Sequence, residues 1–251
     1  MKNNKIKTKW NFTHEESKNR KRIYSMLKNT PIPENEILGN LSLFLTRQNM
    51  SHILFINEIY QIIKQTHGVI MEFGVRWGRN LALYETLRGI YEPFNHNRKI
   101  IGFDTFSGFK SLNKKDGKSK IIKDGSFNVS KGYEFYLEDL LKKIKSENPV
   151  KNINNIELIK GKAEKKIKDY LKENKQTIIS LAYFDFDIYH PTKICLKSIR
   201  DRLTKGSVIA FDELNVKDYP GETLALKEVL GLRKHKIMQS KFSPTQSYII
   251  I

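Results

Sequence analysis

Six acidic side chains stand where an apolar run ends: Glu72 in "VIMEFG", Asp104 in "KIIGFD", Asp185 and Asp187 in "ISLAYFDFD", and Asp212 and Glu213 in "SVIAFDE". Carboxylates gathered in this way can accept hydroxyl groups, take up a proton or hold a hard divalent cation through oxygen. Asp185 and Asp187 are two residues apart, so on an extended strand they share a face with Tyr183 and Tyr189, while Ala182, Phe184, Phe186 and Ile188 point the other way. If Asp212 and Glu213 arrive from a neighbouring strand, the four acids repel one another unless a proton or a cation lies among them. An all-oxygen donor set of this kind suits Mg²⁺. The plainer alternative, strand-end acids answering nearby lysines, stays open.

Upstream, "MEFGVRWGRN" at 71–80 reads as a strand running into a glycine turn that opens a helix. Gly74 and Gly78 permit a tight turn and a close approach of backbone to ligand, and the helix N-terminus behind them favours a carboxylate. Arg76 stands where a dinucleotide fingerprint wants a glycine, which makes passage of a pyrophosphate harder. A ligand with an adenosine, an amino-acid tail and no phosphate fits better, and S-adenosylmethionine answers that description. Asp104, at the end of the next apolar run, is placed to accept both hydroxyls of a ribose, or else to cap the turn in "TFSGF". A turn with no ligand is the competing reading.

The elements that must position these residues alternate. Strands are expected at 69–74, 99–104, 156–161, 179–187 and 207–213, and helices at about 78–91, 133–146, 163–174, 191–203 and 221–230. "HKIMQS" and "QSYIII", separated by "KFSPT", read as a closing antiparallel pair. Such a pattern predicts an α/β fold with a doubly wound, mostly parallel sheet and an antiparallel hairpin at one edge. In open sheets of this type ligands sit beyond the carboxyl ends of the strands, where the acids are. Helical spacing of apolar residues from Leu38 to Gln65, closed by Gly68, predicts a helix before the first strand, and the polar segment 1–36 reads as a loosely docked helical arm. Residues 1–66 are thus expected to form an N-terminal helical extension or lid and 67–251 the main domain. The connection 105–132 is long enough for a lid, with Phe106 and Phe109 able to close over a ligand and Lys110, Lys114, Lys115 and Lys118 able to meet an anion, or simply to be solvated.

Composition excludes some classes. The single cysteine, Cys195, forms no intramolecular disulfide or multi-cysteine zinc site, and the six histidines show no metal-ligand spacing. No apolar run approaches a membrane span and the N-terminus lacks a signal-peptide core, so the expected compartment is the cytoplasm. The net charge of +18 favours acidic partners without choosing among nucleic acid, anionic membrane and acidic small molecules.

In the order and spacing of "MEFGVRWGRN", "IIGFDTFSGF", "YFDFDIYHPT" and "VIAFDE", the chain resembles the class I S-adenosylmethionine-dependent methyltransferases, and within them the macrocin-type O-methyltransferases that act on macrolide sugars. The resemblance covers about residues 68–230. It implies a Rossmann-like, seven-stranded sheet, with Glu72, Gly74, Gly78, Asp104 and Asp185 around the cofactor and Asp187, Asp212 and Glu213 as magnesium ligands. Arg76, Asn80, Thr105 and Phe106, in the same two segments, are counted with the cofactor-binding residues. A divalent cation would lower the pKa of a bound sugar hydroxyl and aim it at the sulfonium methyl, with Asp187 or His190 taking the proton; His190 as an ordinary loop histidine is equally open.

The chain departs from the family in four places. Glu213 replaces the second of a pair of aspartates, Phe186 replaces a glycine, "KG" at 205–206 replaces a double glycine, and "GKAEKKI" lacks the usual aromatic and proline residues. The implied acceptor is a sugar, as nucleotide-sugar, glycoside or surface polysaccharide and anionic in some of these forms, with a homo-oligomer as a further expectation. Rival readings are a metal-dependent glycosyltransferase using the DxD of Asp185 and Asp187, a nucleic-acid methyltransferase, for which no aromatic-basic RNA motif or zinc module is present, and a non-catalytic scaffold.

Overall fold

The computed structural model describes residues 13–153 and 155–251; the first twelve residues of the predicted arm lie outside them. In chain order the elements are α1 (His14–Lys28), α2 (Glu34–Ile37), a 3₁₀ turn at Leu38–Phe44, α3 (Arg47–Ile63), β1 (Val69–Phe73), α4 (Arg79–Tyr91), β2 (Ile100–Asp104), α5 (Tyr133–Ser146), β3 (Ile156–Lys160), α6 (Ala163–Glu173), β4 (Ile179–Phe184), α7 (Tyr189–Ile199), β5 (Leu203–Phe211), α8 (Gly221–Val229), β6 (Met238–Gln239) and β7 (Ser247–Ile250).

The strands form one seven-stranded sheet in the order β3-β2-β1-β4-β5-β7-β6, parallel from β3 to β5, with β7 antiparallel to both β5 and β6. This is the expected doubly wound sheet with its antiparallel pair at the edge. The order reverses between β1 and β4, and in open α/β sheets a ligand crevice opens at such a point.

Side-chain alternation along the strands builds two cores. Val69, Met71 and Phe73 of β1 face α6, α7 and α8, whereas Ile70 faces α3, α4 and α5. On the first face, four phenylalanines at one register form a ladder across the strand ends: Phe73 stacks on Phe103 at 5.2 Å and on Phe184 at 4.8 Å, and Phe184 stacks on Phe211 at 5.4 Å. Offset ring pairs are worth roughly 0.5–1.5 kcal/mol each beyond their buried area, so the ladder is a stiff floor beneath the acids. On the second face α3 buries Phe55, Ile56, Ile59, Tyr60 and Ile63.

Several boundaries differ from the sequence reading, among them the end of β5, which lies at Phe211 and not 213. The helix expected over 38–65 is two elements, because Leu45 and Thr46 are extended and the Thr46 hydroxyl accepts the Asn49 N–H, which starts α3 afresh. β4 ends at Phe184, not 187, so the alternation assigned to Asp185 and Asp187 does not hold, and Asp187 has a φ of +60°. There the chain leaves the sheet, and the carboxylate of Glu222 on α8 accepts the N–H groups of Phe186 at 2.9 Å and Asp187 at 3.2 Å. Before β5 the chain leaves the helix at Ile199, and β5 starts at Leu203.

The long connection 105–132 is tied down at several points. Phe109 N–H donates to the Ser126 carbonyl and Gly125 N–H to the Phe109 carbonyl across it, and Asp116, fully buried, accepts the N–H of Tyr189. Lys110 pairs with Asp124 and Lys115 with Glu228. At the other end of the chain, α1 is capped by a reciprocal Thr13–Glu16 box yet buries none of its residues. Among the described residues no helix is long and apolar enough to cross a membrane.

Candidate active site

A cavity of about 430 Å³, within the range of small-molecule pockets, opens beyond the carboxyl ends of β1, β2, β4 and β5. All six strand-end acids, Glu72, Asp104, Asp185, Asp187, Asp212 and Glu213, line it.

The glycine turn is shaped by two different demands. Gly74 has a φ of +98°, and a Cβ there would lie 2.1 Å from the carbonyl oxygen of Asp185, so no side chain can stand between the turn and the segment after β4. Gly78 answers to its own backbone instead: it caps α4 in the left-handed region at φ +76°, its Cβ would meet only the flexible end of Leu137 of α5, and it does not line the cavity. Between them Arg76 is left-handed at φ +50° and lays its guanidinium over the Phe127 ring, 5.0 Å from the centroid.

Asp104 holds this turn. One of its oxygens accepts the N–H groups of Val75 at 2.7 Å and Arg76 at 2.8 Å, and the other accepts Phe106 N–H at 2.6 Å. A carboxylate has about four acceptor sites, so three are spent on backbone and one is left for a ligand hydroxyl. The turn-capping role expected of Asp104 is therefore present. Burial raises its pKa although the three N–H groups pull the other way.

Glu72 is buried on the α4 side, where one oxygen accepts Asn80 Nδ2 at 2.8 Å and the other has no protein partner. Burial, reinforced by Asp185, lifts its pKa well above the usual carboxylate range. Asn80 and Thr105 line the cavity with it, whereas Phe106 does not; the nearby Phe109 does.

On the other side the acids crowd. Burial raises Asp185, with Asp212 adding to it, and burial raises Asp187, with Glu213 and Asp185 adding. Glu213 is pushed up to about 7 by burial and by Asp212. Asp212 moves the other way: burial would raise it, but Arg79, His52 and hydrogen bonds from Tyr183 and Gln246 outweigh that and hold it low. Among the described residues no three acids, histidines or cysteines form a ready-made metal site. Mg²⁺ is commonly held by one or two carboxylates plus water and substrate oxygens, so the donors present suit it without such a cage.

His190, the second residue of α7, lies outside the cavity lining. Several contributors escaped the sequence reading: Arg79 and Tyr219 in the lining, Glu222 behind Asp187, and His52 and Gln246 beneath Asp212. Arg79 stands inside the glycine-turn motif and could have been read with it, whereas Tyr219, Glu222, His52 and Gln246 lie outside every motif and carry no local signal.

Fold and site together define a class I S-adenosylmethionine-dependent methyltransferase: the sheet order, the glycine turn at the switch point and the acid after β2 belong to that architecture. No protein-family model and no curated protein matches the sequence. Solved structures do. A crystal structure of CalS11, the calicheamicin methyltransferase, is similar at 40% identity with a TM-score of 0.93, covering 96% of this chain and 94% of that one. An apo structure of CalS11, described as a TDP-rhamnose 3'-O-methyltransferase of calicheamicin biosynthesis, is similar at 38% identity and a TM-score of 0.85, with 96% of each chain covered. The O-methyltransferase NovP shares the fold at 14% identity, with a TM-score of 0.58 over 80% of this chain and 79% of that one. The chain belongs to the macrocin-type family of class I S-adenosylmethionine-dependent O-methyltransferases.

Proposed function

We propose that the enzyme methylates a hydroxyl of a nucleotide-activated sugar, with Mg²⁺ held by one or two of Asp187, Asp212 and Glu213 and by water and acceptor oxygens. The observation that carries this reading is the crowding of half-buried carboxylates on one side of the cavity, where Asp185, Asp187 and Glu213 are each raised by burial and by neighbouring acids, Asp212 among them. Such a group is stabilised by a cation. The likeness to CalS11, a TDP-rhamnose methyltransferase, supports the sugar nucleotide as acceptor.

S-adenosylmethionine supplies an electrophilic methyl group on sulfur, and Mg²⁺ would supply a Lewis acid that lowers the pKa of a sugar hydroxyl. The chain does the rest. Asp104 holds the turn open and keeps one acceptor site for the ribose, and the unpartnered oxygen of Glu72 is available to a ligand donor. Asp187 stands as the proton acceptor: it lines the cavity, its pKa is raised, and Glu222 fixes its backbone. His190, outside the lining, is the weaker choice. Methyl transfer requires in-line approach, so the stiff phenylalanine floor and the tethered Asp185–Asp187 turn contribute through positioning.

The test is mass spectrometry for the gain of one methyl on a panel of sugar nucleotides, free glycosides and polysaccharides, with S-adenosylmethionine, in Mg²⁺ and in chelator. Methylation of a sugar nucleotide that stops in chelator is the expected result. Methylation confined to glycans, or undiminished by chelator, overturns the acceptor or the metal respectively.

A further inference from the structure

Beneath the acids, α3 sends one histidine into the core. His52 is 7% exposed, and both ring nitrogens are engaged: Nε2 lies 2.6 Å from Asn80 Oδ1 and Nδ1 lies 2.9 Å from Gln246 Nε2. The contacts continue outward in both directions. Asn80 Nδ2 donates to Glu72 at 2.8 Å, and Gln246 Nε2 donates to Asp212 at 2.8 Å, where the Tyr183 hydroxyl also donates at 2.7 Å. An unbroken side-chain path thus joins the carboxylate on β1 to the carboxylate after β5.

Asp212, held low, sets the polarity of the path. It needs a donor, so Gln246 turns its amide nitrogen toward it, and the same nitrogen meets Nδ1 of His52. Nδ1 must then accept, so a neutral imidazole carries its proton on Nε2 and donates to Asn80 Oδ1, which leaves Asn80 Nδ2 to face Glu72. Burial, with Arg79 nearby, lowers the His52 pKa to about 4 and keeps the ring in that form.

We infer that His52 is a positioning residue that couples the two halves of the active site, holding the cofactor-side Glu72 and the acceptor-side Asp212 in register through Asn80 and Gln246. The inference rests on the proposed placing of cofactor and acceptor. Its distinguishing feature is action at a distance: Gln246 does not line the cavity, yet cutting its link to Asp212 should be felt at Glu72.

The test is a double-mutant cycle read by calorimetry with S-adenosylhomocysteine, each affinity expressed per folded molecule, beside thermal unfolding. His52→Leu removes both bonds, Gln246→Met cuts only the far one, and His52→Gln keeps a donor and an acceptor. The expected result is a dissociation constant raised by about fivefold to tenfold in both His52→Leu and Gln246→Met, no further loss in the double variant, and a value within about threefold of wild type for His52→Gln; such non-additivity marks residues acting as one unit. Unchanged affinity in folded variants, or independent additive losses, overturns the inference and leaves a purely structural histidine. If His52→Leu does not fold, Gln246→Met carries the test by itself: a fivefold to tenfold loss from a residue outside the cavity lining, with His52→Gln near wild type, supports the inference, and unchanged affinity overturns it. Wild type that fails to bind S-adenosylhomocysteine, or an Asp104→Ala variant that binds it unchanged, would show that the placing of the cofactor has failed. Loss in Asp104→Ala with no loss from His52 or Gln246 sinks the coupling alone.

Discussion

Replacement of Asp104 by alanine tests whether this acid builds the site or only serves the ligand. Its carboxylate holds three backbone N–H groups at 2.6–2.8 Å, those of Val75, Arg76 and Phe106, and both Val75 and Phe106 are buried. A donor left unmet in the interior costs about 1–3 kcal/mol. Two such donors put the loss at about 2–6 kcal/mol, while half-buried Arg76 finds water. Domains of this kind are stable by about 5–15 kcal/mol in total, so the loss is large without being total. Asparagine keeps one oxygen for Val75 and Arg76 but turns its amide toward Phe106 N–H, donor against donor, and should fall between wild type and alanine. Denaturant unfolding gives the stability order and calorimetry with S-adenosylhomocysteine gives the site. Alanine should weaken binding at least about tenfold, or about 1.4 kcal/mol. An alanine variant as stable as wild type would refute the turn-holding role. If such a variant also lost affinity, the carboxylate would belong to the ligand and the turn to other forces.

Gly74→Ala should abolish measurable cofactor binding, because its methyl would meet the Asp185 carbonyl at 2.1 Å and its φ of +98° is foreign to alanine; a variant that binds normally would mean the turn gives way freely. Asp187→Asn, which removes charge and proton acceptor together, should lose more turnover than Glu213→Gln, and Glu213→Asp should retain activity at raised Mg²⁺; steady-state rates on the methylated acceptor decide the order. Glu213, raised from 4.5 to about 7 by burial and Asp212, binds a proton more tightly folded than unfolded. Its contribution to stability is therefore full below about pH 4.5 and lost as pH rises through about 7. A bound cation relieves the same repulsion, so the rise in melting temperature on adding Mg²⁺ should grow between pH 5 and 8, and a pH-independent rise would speak against a cation among these acids. A chain starting near Asn35 should keep cooperative thermal unfolding, since α1 buries nothing; a broad transition would make the arm part of the fold.

What the sequence determined by itself is the part that repeats locally. Apolar runs ending in acids, separated by helical spacing, marked the parallel strands and their common rim, because alternation along a strand and the position of its last residue are properties of short segments. The glycine turn was legible for the same reason, and so was the edge hairpin. The tertiary structure decided the rest. Gly74 and Gly78 read alike, yet Gly78 is required by its own left-handed φ at the start of α4, whereas Gly74 is pressed against the backbone after β4, a neighbour that sequence distance hides. The chain leaves the sheet after β4, once Asp185 N–H has met Phe73, where a carboxylate on α8 captures the N–H groups of Phe186 and Asp187, an interaction spanning 35 and 36 residues. The path from Glu72 through His52 to Asp212 draws on α3, α4 and β-edge residues as much as 194 positions apart. A buried polar group must find its partner wherever packing brings one, and that is settled by the layers of the fold and not by any window of the chain.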